Sequence, residues 1–457
     1  MLLLPAWGCA PSKSQPTGDN YTIEGLLRSA PFFVAHRGSG DNWTEHTAAA
    51  YSQAIAAGST AIEVSVHATS DGVLVCHHDE STLRLTGQDH RIKDLDYAAV
   101  SALRADARQW LGPAAPLEQI PKLQDVLDAH AAKHVIFIED KQGTNTKQLL
   151  DLMDSYPQPT EHFVWKQPAA SPSYREAQDR GYKTWGYFMD GSDGQFQRYA
   201  GRHDLLGIFH NATDDEIGQL VAFGKPTICW EVHTRWMRER LTGLGVQGMM
   251  CSNIPYVMGS GAPRTADAFG TGLRAAGDLP SNLNWTAQPV IKAETQSVLL
   301  ANDPPLSYCL GSMAPAASGT YTVNFNMRWT GEPSAVARAG LAFGQQSDAP
   351  YVPTSPGPSG YHVTMDASGD LALFRRAEAA SGSTKLATVH TVPPGVGEWM
   401  EFQVDVTPDS IRIARLDGGG AGASVDDSSE KGRYFSLCKN YSGQPGVEFR
   451  HVTVSLG

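Results

Sequence analysis

Three apolar runs in this chain end abruptly in residues that can do acid–base or ionic chemistry. Phe33-Val34-Ala35 empties into His36-Arg37-Gly38, the run from Gly72 to Cys76 into His77-His78-Asp79, and Val135 to Ile138 into Glu139-Asp140-Lys141. A further run, Thr60 to His67, alternates with period two, so Glu63, Ser65 and His67 project from one face. Two histidines, His36 and His78, can work as general base and general acid. Glu63 and Glu139 are oxygen donors that suit a divalent cation, Ca2+ or Mg2+. Arg37 and Lys141 can neutralise non-bridging phosphate oxygens. Each residue alone has an ordinary structural role, such as a solvated glutamate or an arginine covering a helix end. Together they describe metal-assisted phosphoryl transfer.

Gathering these side chains requires elements that bring distant strand ends to one place. From Phe33 onward, apolar strands alternate with helical stretches. Candidate strands follow at Phe163–Lys166, Thr184–Phe188, Leu205–Phe209, Thr227–Val232 and Gly248–Cys251. Between them lie helical segments at 47–57, 95–107, 123–130, 173–180, 214–224 and 236–244. Eight or nine strands with interleaved helices over residues 31–258 fit a (βα)8 barrel, whose strand ends converge on one mouth. A doubly wound sheet is the alternative, weakened by the lack of a G-x-G-x-x-G turn.

The ordered motifs resemble the glycerophosphodiester phosphodiesterase family. They are Ala35-His36-Arg37-Gly38, Glu45 with Thr47, Ala61 to Val66, Thr69 with Asp71-Gly72, His78-Asp79 and Leu83 to Thr86. Ile120 to Leu123, Ile138 to Lys141, Trp230-Glu231-Val232 and Gly245 to Gly248 extend the likeness across roughly residues 31–256. The resemblance implies a phosphodiester-hydrolysing (βα)8 barrel with a divalent cation between phosphate and carboxylates. It casts His36 and His78 as the acid/base pair and Glu63 and Glu139 as metal ligands. Arg37, Lys141 and Trp230 would bind substrate, with Glu45 in support. Two departures mark a divergent member. Ser65 stands where the family has aspartate, and Cys251-Ser252 replaces its Thr-Asp. His67 lies on the same face as Ser65, but ~6–7 Å further along the strand, too far for a simple replacement.

After residue 258 the composition changes. Residues 259–282, rich in Gly, Ala, Ser and Pro, read as a linker. From 283 to 457, short alternating runs such as Tyr321 to Trp329 and Met400 to Val406 indicate an antiparallel β-sandwich. Val447 and Phe449 alternate, then Val452 and Val454 resume one residue out of step, as a bulge would produce. This region loosely resembles laminin-G-like or concanavalin-like jelly rolls. That resemblance suggests a glycan-binding domain, with Trp285, Tyr361, Trp399 and Tyr441 as candidate contacts.

The net charge of −12 argues against nucleic acid, and no apolar run reaches the ~20 residues of a membrane span. Residues 1–30 read as a leader and tether. The segment ending at Cys9 lacks the basic start and long apolar run of a lipoprotein signal. Cys309 and Cys438 are expected to form a disulfide, and Cys76, Cys229 and Cys251 to be buried thiols. The expected partner is a phosphodiester substrate, either a glycerophosphodiester or a glycerol-phosphate polymer such as teichoic acid, together with a cell-surface glycan. The expected location is extracellular or cell-surface, as a secreted or lipid-anchored protein or on a virion tail. The alternative is a catalytically weak or inert binding protein or adhesin on the same fold.

Overall fold

In a computed structural model the described residues are 21–259, 262–280, 288–301, 307–313, 319–352, 356–380, 382–417, 419–427, 429–440 and 445–457. The first part of the chain forms strands Phe32–Ala35 (β1), Ala61–Ala68 (β2), Leu74–Cys76 (β3), Val135–Asp140 (β4), Phe163–Pro168 (β5), Lys183–Phe188 (β6), Leu205–Phe209 (β7), Thr227–Val232 (β8) and Gly248–Cys251 (β9). Eight of them, β1, β2 and β4 to β9, pair in parallel, and β1 meets both β2 and β9, so the sheet closes into a TIM-type barrel. The exception is β3. It pairs antiparallel with β2, Val66 opposite Cys76 and Ala68 opposite Leu74. His78 therefore reaches the mouth by a hairpin return, not as the tip of a barrel stave.

Alternation along each stave separates two cores. Phe32, Val34, Phe137, Val164 and Trp185 fill the barrel interior, closed below by Ile23 and Leu26 of helix Ile23–Arg28. The outward residues, such as Ile62, Val64, Ile136 and Ile138, pack against the helices. Each fully buried Val, Ile or Phe contributes roughly 1.5–3 kcal/mol. The barrel interior is thus solid up to the level where its inward positions turn polar. Among the helices, the expected segment 95–107 shortens to Tyr97–Ala102. Its chain then extends, and Ala105 pairs with Glu118.

The C-terminal region builds two seven-stranded antiparallel sheets among the described residues. Tyr321–Trp329 buries every second side chain, and its inward residues share one core with Leu341, Phe343 and Val363 of the other sheet. The expected slip in the last strand is a bulge: Asn324 pairs with Thr453 but Asn326 with Arg450, and His451 takes φ 51°. Residues 262–280 pack onto both parts. Arg274 bonds Asp41 of the barrel, and Asp278–Pro280 pairs with Ser307–Leu310. Asp348 of the C-terminal region accepts from the Arg235 and Trp236 amides (2.7 and 2.8 Å) and from Tyr256 Oη (2.7 Å), so it caps a barrel helix.

The disulfide expectation is corrected, since Cys309 and Cys438 are both free thiols. They lie on neighbouring strands, but Cys309 faces Ser436 and Cys438 faces Ser307, two residues out of register. Diagonal strand positions are ~7–8 Å apart, beyond the reach of an S–S bond. Tyr361 is buried and bonded to Asp427, and Trp399 lies beneath the guanidinium groups of Arg328 and Arg450. Trp285 and Tyr441, like Cys9, fall outside the described residues.

Candidate active site at the barrel mouth

The site begins where β1 stops. Arg37 has φ 53°, Gly38 φ 77° and Ser39 φ 74°, so the chain leaves the strand through three left-handed residues. Only glycine fits the second position, since a Cβ there would lie 2.8 Å from the Ala50 Cβ. The strain at Arg37, a residue type that rarely adopts this conformation, turns its amide toward Glu63 Oε2 at 2.9 Å.

Glu63, Glu139 and Lys166 follow Ala61, Phe137 and Val164 by two residues on their strands and so point into the barrel. Lys166 Nζ donates to Glu63 Oε1 at 2.8 Å and to Glu139 Oε2. Ser65 Oγ donates to Glu63 Oε1 (3.0 Å), Tyr187 Oη to Glu139 Oε1 (2.7 Å) and Lys141 Nζ to the same oxygen (3.2 Å). Burial by itself would raise both carboxyls. The adjacent Lys166 ammonium outweighs it, holding Glu63 well below the usual range and Glu139 at about 2. Burial likewise opposes the charge on Lys166, but Glu139 and Glu63 overcome it and raise its pKa.

The two histidines are each anchored through Nδ1. His36 Nδ1 lies 2.9 Å from Ser252 Oγ, which donates onward to Glu231 Oε2 at 3.3 Å. His78 Nδ1 meets Asp79 Oδ1 at 2.7 Å, and its Nε2 accepts from Lys141 Nζ at 3.3 Å. These partners assign the Nδ1–H tautomer to both rings, with the Nε2 lone pair of His78 facing Lys141. Burial first, then the Arg37 charge, bring His78 down to about 4, so it is neutral at pH 7. Behind it runs a chain of ion pairs. Arg84 holds Asp79 (2.6 Å) and Glu45 (2.6 Å), and Glu45, completely enclosed, also takes Arg37 (3.3 Å).

Residues 36–164 match the model of the glycerophosphoryl diester phosphodiesterase family. Over these residues the barrel is similar to that family. Glycerophosphodiester phosphodiesterase 1 of Rattus norvegicus is 34% identical over 110 residues, covering 24% of this chain and 33% of the relative. The glycerophosphodiester phosphodiesterase of Caldanaerobacter subterraneus is 36% identical over 111 residues, covering 24% of this chain and 45% of the relative. The chain thus spans about a third to a half of the length of these curated relatives. Among solved structures, an Oleispira antarctica phosphodiesterase in complex with the product sn-glycerol-3-phosphate is 17% identical, covering 51% of this chain and 97% of its own, with TM-score 0.46.

Of the family-matched residues, Arg37, Glu45, Glu63, His78, Glu139 and Lys141 form one connected network through Lys166, while His36 pairs separately with Ser252 and Glu231. Ser65 belongs to it as a donor to Glu63. His67 does not replace an acidic ligand, because its Nε2 faces the backbone oxygen of His78 at 3.2 Å. Trp230 stacks edge-on with Tyr187 (5.0 Å) and Trp185 (5.9 Å), making an aromatic wall. Sequence reasoning missed Lys166, Tyr187, Arg84 and the Asp41–His233 pair (2.6 Å) beside Glu231. Lys166 carried a signal, being a lysine in phase with the inward Val164 of an apolar strand.

The donor set does not fit the divalent cation implied by the family. All four oxygens of Glu63 and Glu139 already accept from protein donors, and one ammonium joins the two carboxylates. Ser65, where the family has aspartate, offers its hydroxyl hydrogen to Glu63. Among the described residues no group of three His, Cys, Asp or Glu side chains is arranged to hold a metal ion.

Proposed function

We propose that the barrel mouth hydrolyses phosphodiesters of the glycerophosphodiester type, with His36 and His78 as the acid/base pair. The observation that carries this reading is the anchoring of both rings through Nδ1, with Lys141 against His78 and the Arg37 charge acting on the same ring. His78, neutral at pH 7, takes the proton from the attacking oxygen at its Nε2 as Lys141 turns from that nitrogen to the phosphate. To act as the acid, His36 carries a second proton at Nε2 beside its Nδ1–H, the ring backed through Ser252 by the Glu231 carboxylate, and hands that Nε2 proton to the leaving alkoxide. The attacker is a water or a neighbouring hydroxyl of the substrate, the second route passing through a cyclic phosphate. Arg37, Lys141 and Lys166 balance the charge gathering on the phosphoryl oxygens. The Trp230 and Tyr187 rings flank the space in which the alcohol groups lie.

The substrate class we favour is a glycerol-phosphate polymer such as teichoic acid, outside the cell or on its surface. The attached β-sandwich supports this choice by its resemblance to glycan-binding folds, a fold-level analogy. Among the described residues no helix is long and apolar enough to cross a membrane. A substrate panel tests the reading. Release of glycerol phosphate from polyglycerol phosphate supports the polymer, whereas cleavage of glycerophosphocholine alone redirects the enzyme to lipid-derived diesters. No turnover of any diester would leave the binding-protein alternative standing.

A further inference from the structure

We propose that the Lys166 ammonium takes the place of the divalent cation in this chain, so that diester cleavage runs on cations fixed in the protein. This rests on the phosphodiesterase reading above. Four independent features of the mouth support it. The first is occupancy: Lys166 bridges Glu63 and Glu139 from within the barrel, and their remaining lone pairs face Ser65, the Arg37 amide, Lys141 and Tyr187. The second is charge. Two carboxylates and two ammonium groups already sum to zero, with Arg37 close by, so a dication would add two uncompensated charges to an enclosed site. The third is the missing ligand, since Ser65 removes one negative charge from the family's metal position while Lys166 adds a positive one.

The fourth feature is anchorage. Lys166 is buried, and its ammonium lies 5.7 Å from the Trp185 ring centre and 5.5 Å from that of Tyr187. Both rings stabilise a cation there. An ammonium group has three N–H donors, and two are spent on the glutamates. The third remains for a non-bridging phosphate oxygen, the contact a divalent ion would otherwise make.

The test is a calorimetric titration of the full chain with MgCl2 and with CaCl2, paired with glycerophosphocholine turnover before and after chelator treatment. The expected result is no saturable binding heat, with kcat/KM unchanged within about two-fold by chelator. The combined variant Ser65→Asp with Lys166→Gln restores the third acid and removes the ammonium. It should gain saturable Mg2+ or Ca2+ binding and a metal-dependent rise in Tm. One-to-one metal binding by the wild type that is lost in Glu63→Gln would overturn the proposal, as would activity abolished by chelator and restored by metal. Should the combined variant fail to fold, the wild-type titration still decides. Should no diester be turned over in any condition, the phosphodiesterase reading fails, while the binding heats judge Lys166 separately.

Discussion

Replacing Lys141 by Met should move the acid limb of the pH–rate profile. Lys141 Nζ stands 3.3 Å from His78 Nε2 and 3.2 Å from Glu139 Oε1. At an effective dielectric near 20, a unit charge at this range is worth about 4–5 kcal/mol against an imidazolium. The Glu139 carboxylate paired with the same ammonium offsets much of that, leaving on the order of 1–2 kcal/mol, or about one pH unit. His78 sits at about 4, mainly through burial, then through Arg37 and Lys141. Removing one nearby cation makes protonation easier, so its pKa rises. The base must be unprotonated to work, so log kcat/KM for a small diester should bend downward near pH 4 in the wild type. In Lys141→Met the bend should lie about one unit higher, apart from any overall loss of rate. A wild-type limb near 6.5, or a limb unmoved by the substitution, would refute the reasoning.

Three further outcomes follow from the same contacts. Glu45→Gln leaves Arg37 and Arg84 without their enclosed carboxylate and should lower stability by roughly 3–5 kcal/mol in urea denaturation, with activity reduced as Arg37 loosens. Gly38→Ala places a methyl against Ala50 at φ 77° and should cost about 1–3 kcal/mol and slow turnover, read by thermal melting and a diester assay. Asp348→Ala leaves the Thr234 cap of helix Arg235–Gly243 in place but strips the acceptor from three donors, the Arg235 and Trp236 amides and Tyr256 Oη, so Tm should fall by an amount corresponding to roughly 2–4 kcal/mol while the pH profile keeps its shape.

Much of the barrel was legible because its strands are short apolar runs between amphipathic helices, a pattern set by burial on both faces. The period-two reading of Thr60 to His67 also held, with Glu63 and Ser65 in mutual contact. What could not be read was the pairing across strands. Lys166 meets Glu139 because Ile138 lies opposite Trp165, a register settled by packing far from the site. The hairpin return of β3 was hidden for a similar reason, since Leu74-Val75-Cys76 is apolar enough to pass for a stave. The expectation that Cys309 and Cys438 pair rests only on both lying in the C-terminal region, and the two-residue offset between them depends on register alone.

The most direct measurement follows glycerophosphodiester cleavage by phosphorus NMR in the wild type, His36→Ala and His78→Ala. Wild-type chain should convert the diester to glycerol phosphate, and each variant should slow that conversion by ~10²–10⁴-fold while keeping the wild-type melting behaviour. Folded variants that release glycerol phosphate at the wild-type rate, or a wild type that leaves every diester intact, would contradict a catalytic histidine pair at the barrel mouth.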